Sequence, residues 1–203
     1  MITSHINPNC KNPLLCKPHK EDGPVEHWER MGINLAAGDK HFESTESFHW
    51  INCDISARDG KVELVHDITK MLPVPAETFD LIVASHCVEH IEMSIVKDVL
   101  ADWMRCLKKD GQMIITVPDA RALAERYVTK DIDNYIFAVN MTGPYHGSTY
   151  DYHRWCYDWE ELTDRLQGFS FEKLTAENMP RELKDGKIAL DWWICACLVK
   201  HKQ

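Results

Sequence analysis

What this sequence lacks narrows it first. None of its eight cysteines pairs as Cys-x-x-Cys, so neither a zinc ribbon nor a thioredoxin-type redox site is indicated. No apolar run approaches the roughly 20 residues that span a bilayer. The opening Met1-Ile-Thr-Ser-His-Ile-Asn-Pro8 has neither the basic start nor the apolar core of a secretory signal. The expectation is a cytoplasmic protein with no membrane partner. Positive charge is outnumbered, 23 Lys and Arg against 32 Asp and Glu. A net charge of −9 argues against a broad nucleic-acid footprint, although a local basic groove stays open.

What is present is ordinary in bulk and specific in order. The 203 residues, 44% hydrophobic and 27% charged, suit a single domain with a substantial core. Residues 1–30 read as an N-terminal arm and 31–203 as the domain. Within the arm, Val25 to Arg30 fits one helical turn with Trp28 facing the core. Cys10, Cys16 and His19 lack the close pairing of metal ligands, and no metal is expected. Cys195 and Cys197 alternate on an apolar run and read as core.

The most informative stretch is Thr78-Phe-Asp-Leu-Ile-Val-Ala-Ser-His-Cys-Val-Glu-His-Ile91. Its apolar run Leu81–Ala84 predicts a strand buried on both faces. The run stops at Ser85-His86, as a strand does when it delivers polar groups to a site beyond its carboxyl end. Upstream, Met31 to Leu35 predicts a first strand, followed by the small-residue turn Ala36-Ala37-Gly38. Small side chains there let backbone approach a ligand. Phe48 to Asp54 predicts a second strand ending in an acid about 16 residues past Gly38, near the spacing of a ribose-binding carboxylate. The gap before it leaves room only for a short or broken helix between His41 and Ser47. Val62 to Asp67 predicts a third strand, again ending in an acid. The intervening Asp59-Gly60 is a hairpin signal.

Beyond the central stretch, apolar residues from Val96 to Leu107 recur at helical spacing and predict a helix over about 93–108. Lys108 and Lys109 suit its dipole, and Asp110-Gly111 would close it. Met113 to Val117 predicts another buried strand, stopped by Pro118-Asp119, and Ala120 to Tyr127 reads as helix. Residues 131–156, rich in Tyr, His, Asn and Gly, predict an irregular substrate-side insert or lid. A helix from Asp158 to Gly168 and strands at 169–174 and 189–200 complete the order.

This order resembles the class I S-adenosylmethionine-dependent methyltransferases, and most closely their compact bacterial and phage predicted-methyltransferase group. The residues that carry the resemblance are Ile33-Asn-Leu-Ala-Ala-Gly38, Trp50-Ile-Asn-Cys-Asp-Ile55, His66-Asp-Ile-Thr69, Phe79 to His90, and Leu107-Lys-Lys-Asp-Gly-Gln-Met-Ile-Ile-Thr-Val-Pro-Asp119. It implies a Rossmann-like α/β sheet, mostly parallel with an antiparallel closing strand, in which the helices after strands one and two are reduced. It favours parallel pairing of strands two and three over the hairpin. The thin cover this leaves over those strands would come from the arm or from a second subunit, making a homodimer possible. It implies S-adenosylmethionine as cofactor and S-adenosylhomocysteine as product. Asn34, Leu35, Ala36, Ala37 and Gly38 would meet the methionine part, Asp54 the ribose, Asp67 and Ile68 the adenine, and Ser85 and His86 the sulfonium and acceptor. Ala36 replaces the first glycine of the family's Gly-x-Gly and fits if its φ stays negative.

The implied activity is methyl transfer to an oxygen or nitrogen of a small or medium-sized acceptor. His86, His146, Tyr150 and His153 are candidates for general base, since an imidazole titrates near neutrality. Asp119 is a weaker candidate for a metal-assisted site. His86-Cys-Val-Glu-His90 also matches the pattern of an inverted zinc protease, but it follows a buried strand directly and the chain is small for that group. In the methyltransferase reading, His90 packs the following helix. Cys87 lacks the preceding proline of a cytosine-modifying nucleophile, and no Asn/Asp-Pro-Pro-Tyr is present. Two alternatives stay open. One is a cofactor-binding protein of the same fold without methyl transfer. The other is a nucleic-acid methyltransferase or binding module with a basic face along Arg105, Lys108, Arg121 and Arg126.

Overall fold

Apolar runs that end in polar residues become the middle of one sheet. The structure is a computed structural model that describes residues 13–15, 28–57, 60–144, 148–175, 179–183 and 193–200. Its strands are β1 (Met31–Leu35), β2 (His49–Asp54), β3 (Leu64–Val65), β4 (Phe79–Ser85), β5 (Leu107–Pro118), β6 (Phe171–Lys173) and β7 (Trp193–Val199). They lie in the order β3-β2-β1-β4-β5-β7-β6. Strands β1 to β5 are parallel, and β7 runs antiparallel to β5 and β6, between which it inserts. The sheet is thus the mixed α/β sheet expected, and β2 and β3 pair parallel despite Gly60.

Helices α1 (Val96–Cys106), α2 (Ala120–Val128), α3 (Asn134–Thr142) and α4 (Trp159–Arg165) follow β4 and β5. The two faces of the sheet are covered differently. On one face, Ile33, Ile51, Ile82, Ile115 and Ala196 join a large apolar cluster with Val96, Leu100 and Trp103 of α1 and Leu162 of α4. On the other, Leu81, Val83, Ile114, Cys195 and Cys197 meet Phe42, Phe48 and Trp50, with Leu174, Met179 and Leu183 from the segment joining β6 to β7. Cys195 and Cys197 are core, as expected.

The second face is covered by loops because the β1–β2 connection forms no helix. A buried polar network holds it instead. Asn34 and Asn52 are register partners on β1 and β2. Asn34 Nδ2 donates to Asn52 Oδ1 (3.1 Å) and to the Lys40 carbonyl (2.7 Å). Asn52 Oδ1 also accepts the Phe42 N–H (2.8 Å), and its Nδ2 donates to the Phe42 carbonyl (3.0 Å). Gly32 makes room for the aromatic lid: a Cβ there would stand 2.6 Å from the Trp50 ring and 2.8 Å from Phe48.

Other local expectations change. No helix forms between His41 and Ser47, and β3 keeps only two of the six predicted residues. Helix α1 stops at Cys106, because Leu107 is already extended and pairs with Phe79. Lys108 therefore serves no helix end. Its Nζ donates to Asp80 Oδ2 (2.7 Å), which also accepts the Met31 N–H. The insert is partly helical, containing α3. Trp28 is half-buried and stacks on His49 at 4.6 Å, outside any helix. The candidates Cys10, Cys16, His19, Asp59 and His146 lie outside the described residues. None of the described helices is long and apolar enough to cross a membrane.

Candidate functional site

Parallel strands that end together leave their terminal residues around one space. Here the carboxyl ends of β1 to β5 border a cavity of about 600 Å³, within the range of small-molecule sites. It has two chemically different walls.

The first wall comes from the ends of β1, β2 and β3. Ala36, Gly38, Asp54, Ile55, Asp67 and Ile68 line it. Ala36 and Gly38 both take left-handed backbone, with φ of 50° and 55°. The condition under which Ala36 fits easily, a negative φ, is not met: the turn requires the conformation glycine tolerates best, at a cost of roughly 1–2 kcal/mol for alanine. Asp54 is buried and fixes the turn. Its Oδ2 accepts the Gly38 N–H (2.9 Å), and its Oδ1 accepts the N–H and hydroxyl of Ser56 (3.1 and 3.2 Å). Asp67 Oδ1 accepts the N–H (2.9 Å) and hydroxyl (2.7 Å) of Thr69. Partial burial alone would raise the Asp67 pKa, but these bonds, with Lys70 and His66 nearby, hold it below the usual carboxylate value.

The second wall brings together the end of β4, the short 3-10 turn Val88–His90, and the insert. His86, Glu89 and His90 face Val139, Asn140, Tyr150, His153 and Arg154 across it. His86 sits at φ 53° with its N–H donated to the Thr116 carbonyl, a strained non-glycine conformation of the kind concentrated at functional sites. The Glu89 carbonyl accepts from Arg154 N (2.7 Å) and Trp155 N (3.2 Å), which docks the insert against the turn. The His90 and His153 rings consequently meet edge to face at 4.7 Å. Burial pulls the His153 pKa below its ordinary value, against the raising influence of Glu89. Burial pushes the Cys87 thiol well above its usual value, so it is not a thiolate nucleophile at neutral pH.

Several predicted site residues stand behind the cavity rather than in it. Asn34 serves the polar network, and Leu35 and Ala37 are buried. The Ser85 hydroxyl pairs with that of Thr116 at 2.9 Å. Asp119 caps α2, accepting from Arg121 N and Ala122 N. The side chain missed by sequence reasoning is Glu89. It is 1% exposed, and neither carboxylate oxygen has a hydrogen-bond partner among the described residues. The only signal was the Val-Glu-His triplet, and its spacing does not show that the acid turns inward. The suggested basic face is largely neutralised. Arg105 pairs with Asp102, Lys108 with Asp80, and Arg121 with Asp158 and Glu160.

Comparison with known proteins agrees with this arrangement. Residues 29–176 match the model of a family described as a methyltransferase domain. A search of curated proteins finds no significant match. Among solved structures, the chain resembles the YcgJ protein of Bacillus subtilis at 15% identity and TM-score 0.53, over 87% of this chain and 94% of that one. An S-adenosylmethionine-dependent methyltransferase of Archaeoglobus fulgidus is similar at 16% identity and TM-score 0.51, over 84% and 86%. So is the 1,6-didemethyltoxoflavin-N1-methyltransferase of Burkholderia thailandensis, solved with its substrate and S-adenosylhomocysteine, at 15% and 0.51, over 85% and 71%. At these identities the likeness is one of fold: the Rossmann-like fold of such methyltransferases.

Proposed function

The chain belongs to the methyltransferase-domain family, and on that footing we propose that it transfers a methyl group from S-adenosylmethionine to an oxygen or nitrogen of a small or medium-sized acceptor. The observation that carries this reading is the two-walled cavity. One wall offers a small-residue turn and two strand-end carboxylates, and the other offers imidazoles.

The residues of the first wall fit the cofactor. The turn at Ala36 and Gly38 has room for a ligand: a Cβ on Gly38 would find no neighbour closer than 3.9 Å. Asp54 is oriented in advance by Gly38 and Ser56, which suits a carboxylate that receives ribose hydroxyls. Asp67 Oδ2 accepts no hydrogen bond from the described residues, leaving it for the adenine amino group, with Ile68 against the ring. Bound there, the cofactor supplies an electrophilic methyl on a sulfonium. The chain's own work is to align the acceptor for in-line attack, which lowers the barrier by positioning, and to take the acceptor's proton. We assign that transfer to His86 or His153, which line the second wall together with His90, and Glu89 Oε1 lies 3.4 Å from His86 Nδ1, where it can orient the ring. We place the reaction in the cytoplasm, where the six described free thiols stay reduced.

Calorimetry with S-adenosylmethionine and S-adenosylhomocysteine tests the reading. Binding of both is expected, weakened by Asp54→Ala. Failure of both to bind at millimolar concentration would sink it.

A further inference from the structure

Glu89 poses a problem that methyl transfer alone does not resolve. Its carboxylate is almost wholly buried and takes no hydrogen bond from the described residues, its contact with His86 Nδ1 being a longer 3.4 Å, and a buried charge so thinly served is costly. Its surroundings are rich in nitrogen ligands. Ligand atoms of Glu89, His90 and His153 all lie within 4.8 Å of one another, on the cavity wall.

One of the two imidazoles, His90, is held as metal-binding imidazoles usually are. His90 Nδ1 contacts the Tyr152 carbonyl at 3.1 Å. A carbonyl only accepts, so Nδ1 carries the proton and Nε2 keeps its lone pair. The His153 ring stands edge to face against the His90 ring at 4.7 Å. A second partner that fixes the tautomer is the common support of a histidine ligand. The backbone places the pair with equal care. The His153 N–H donates to the Thr142 carbonyl, and Gly143 between them sits at φ 83°. A Cβ on Gly143 would fall 2.0 Å from the Asp151 carbonyl oxygen and 3.0 Å from the His153 ring.

We propose that Glu89, His90 and His153 form a binding site for a divalent transition-metal ion, and that this ion draws in a hydroxyl of the acceptor. Two nitrogens and one carboxylate favour zinc, cobalt, iron(II) or manganese over the all-oxygen preference of magnesium and calcium. Binding requires side-chain rotation that brings the three atoms onto bonds of roughly 2.0–2.2 Å. Three protein ligands leave positions open for the acceptor. The donor set thereby selects an oxygen acceptor, whose hydroxyl a Lewis acid makes more acidic. With His153 committed to the ion, His86 takes the hydroxyl proton. The acceptor oxygen then forms its bond to the methyl carbon as the carbon–sulfur bond breaks, and the electron pair of that bond stays on sulfur. The chemistry assigned to the ion rests on the methyl-transfer reading; the binding itself does not.

The test uses the full chain freed of metal by chelation. Zinc is titrated by calorimetry and cobalt by visible absorption, alongside S-adenosylmethionine. Expected are one ion per chain, cobalt bands of nitrogen-containing coordination, and an affinity loss of at least about tenfold in Glu89→Gln and in His153→Asn. Circular dichroism checks that both variants stay folded, and Gly143→Ala gives a third perturbation that removes no ligand. Absence of zinc and cobalt binding overturns the proposal. So does binding that survives both ligand substitutions, or that is lost instead in Cys10→Ser with Cys16→Ser. If S-adenosylmethionine binds while the metals do not, only this inference fails. If the metals bind and the cofactor does not, the site stands and the methyl-transfer reading fails.

Discussion

The two faces of the sheet solve the same problem by different means. On the helical face, α1 and α4 lay an apolar stripe on the strands, and Trp103 at its centre is fully buried. On the loop face, a connection with no regular structure covers β1 and β2, anchored by the paired amides of Asn34 and Asn52 under the rings of Phe42, Phe48 and Trp50. Apolar stripes are forgiving, because any side chain of similar volume fills them. A buried amide pair is not, since each donor and acceptor left open carries its full desolvation cost. The loop face should therefore be less tolerant per atom removed, although the helical face carries the larger total.

Substitutions can break or sharpen that contrast. The largest effect is expected from Trp103→Ala, which opens a cavity and removes the Nε1 bond to the Ile68 carbonyl; about 3–5 kcal/mol should be lost, read as a lower urea midpoint. Asn52→Ala should cost about 1–3 kcal/mol and also weaken cofactor binding, because the freed loop carries the turn at Ala36 and Gly38. A loss in stability with unchanged cofactor affinity would uncouple the loop face from the site. Ala36→Gly works the other way. It relieves the left-handed alanine but adds glycine's unfolded freedom, for a net gain of about 0.5–1 kcal/mol in the same measurement.

The smallest effect concerns pH. The folded pKa of Asp67 lies below its unfolded value. Its contribution to stability is thus complete above the unfolded value of about 3.9 and is lost as pH falls through the folded one. Asp67→Asn should separate from the parent chain near neutrality and converge with it in acid, as followed by urea midpoints across pH. Separation that persists in acid would show that the substitution acts on the Thr69 hydrogen bonds through something other than charge.

The strands were legible because burial on both faces writes itself as continuous apolar runs such as Leu81–Ala84 and Met113–Val117. The acids Asp54 and Asp67 were legible because each ends such a run. The connections were less so. Helix α3 hides in a stretch whose Tyr, Asn and Met carry no clean period, and none of its residues is buried. The end of α1 was misplaced because Leu107 fits the helical stripe yet is claimed by pairing with Phe79, a partner distant in sequence. Local sequence does not reveal that Ala36 takes a positive φ. The sheet imposes it, since the turn must bring the Ala37 N–H to the Cys53 carbonyl at 2.9 Å.

The same division holds for the site. Local composition, through apolar runs and the residues that stop them, determined the strands and the acids that end them, while the family resemblance supplied the parallel pairing of β2 and β3 and the cofactor roles. Only the tertiary structure decided the second wall. His153 lies far along the chain from Glu89 and His90, and a side chain's orientation follows from what docks against its backbone. Here that is the insert, tied by Arg154 and Trp155 to the Glu89 carbonyl. The contact turns a common triplet and a distant histidine into one cluster, which no spacing along the sequence records.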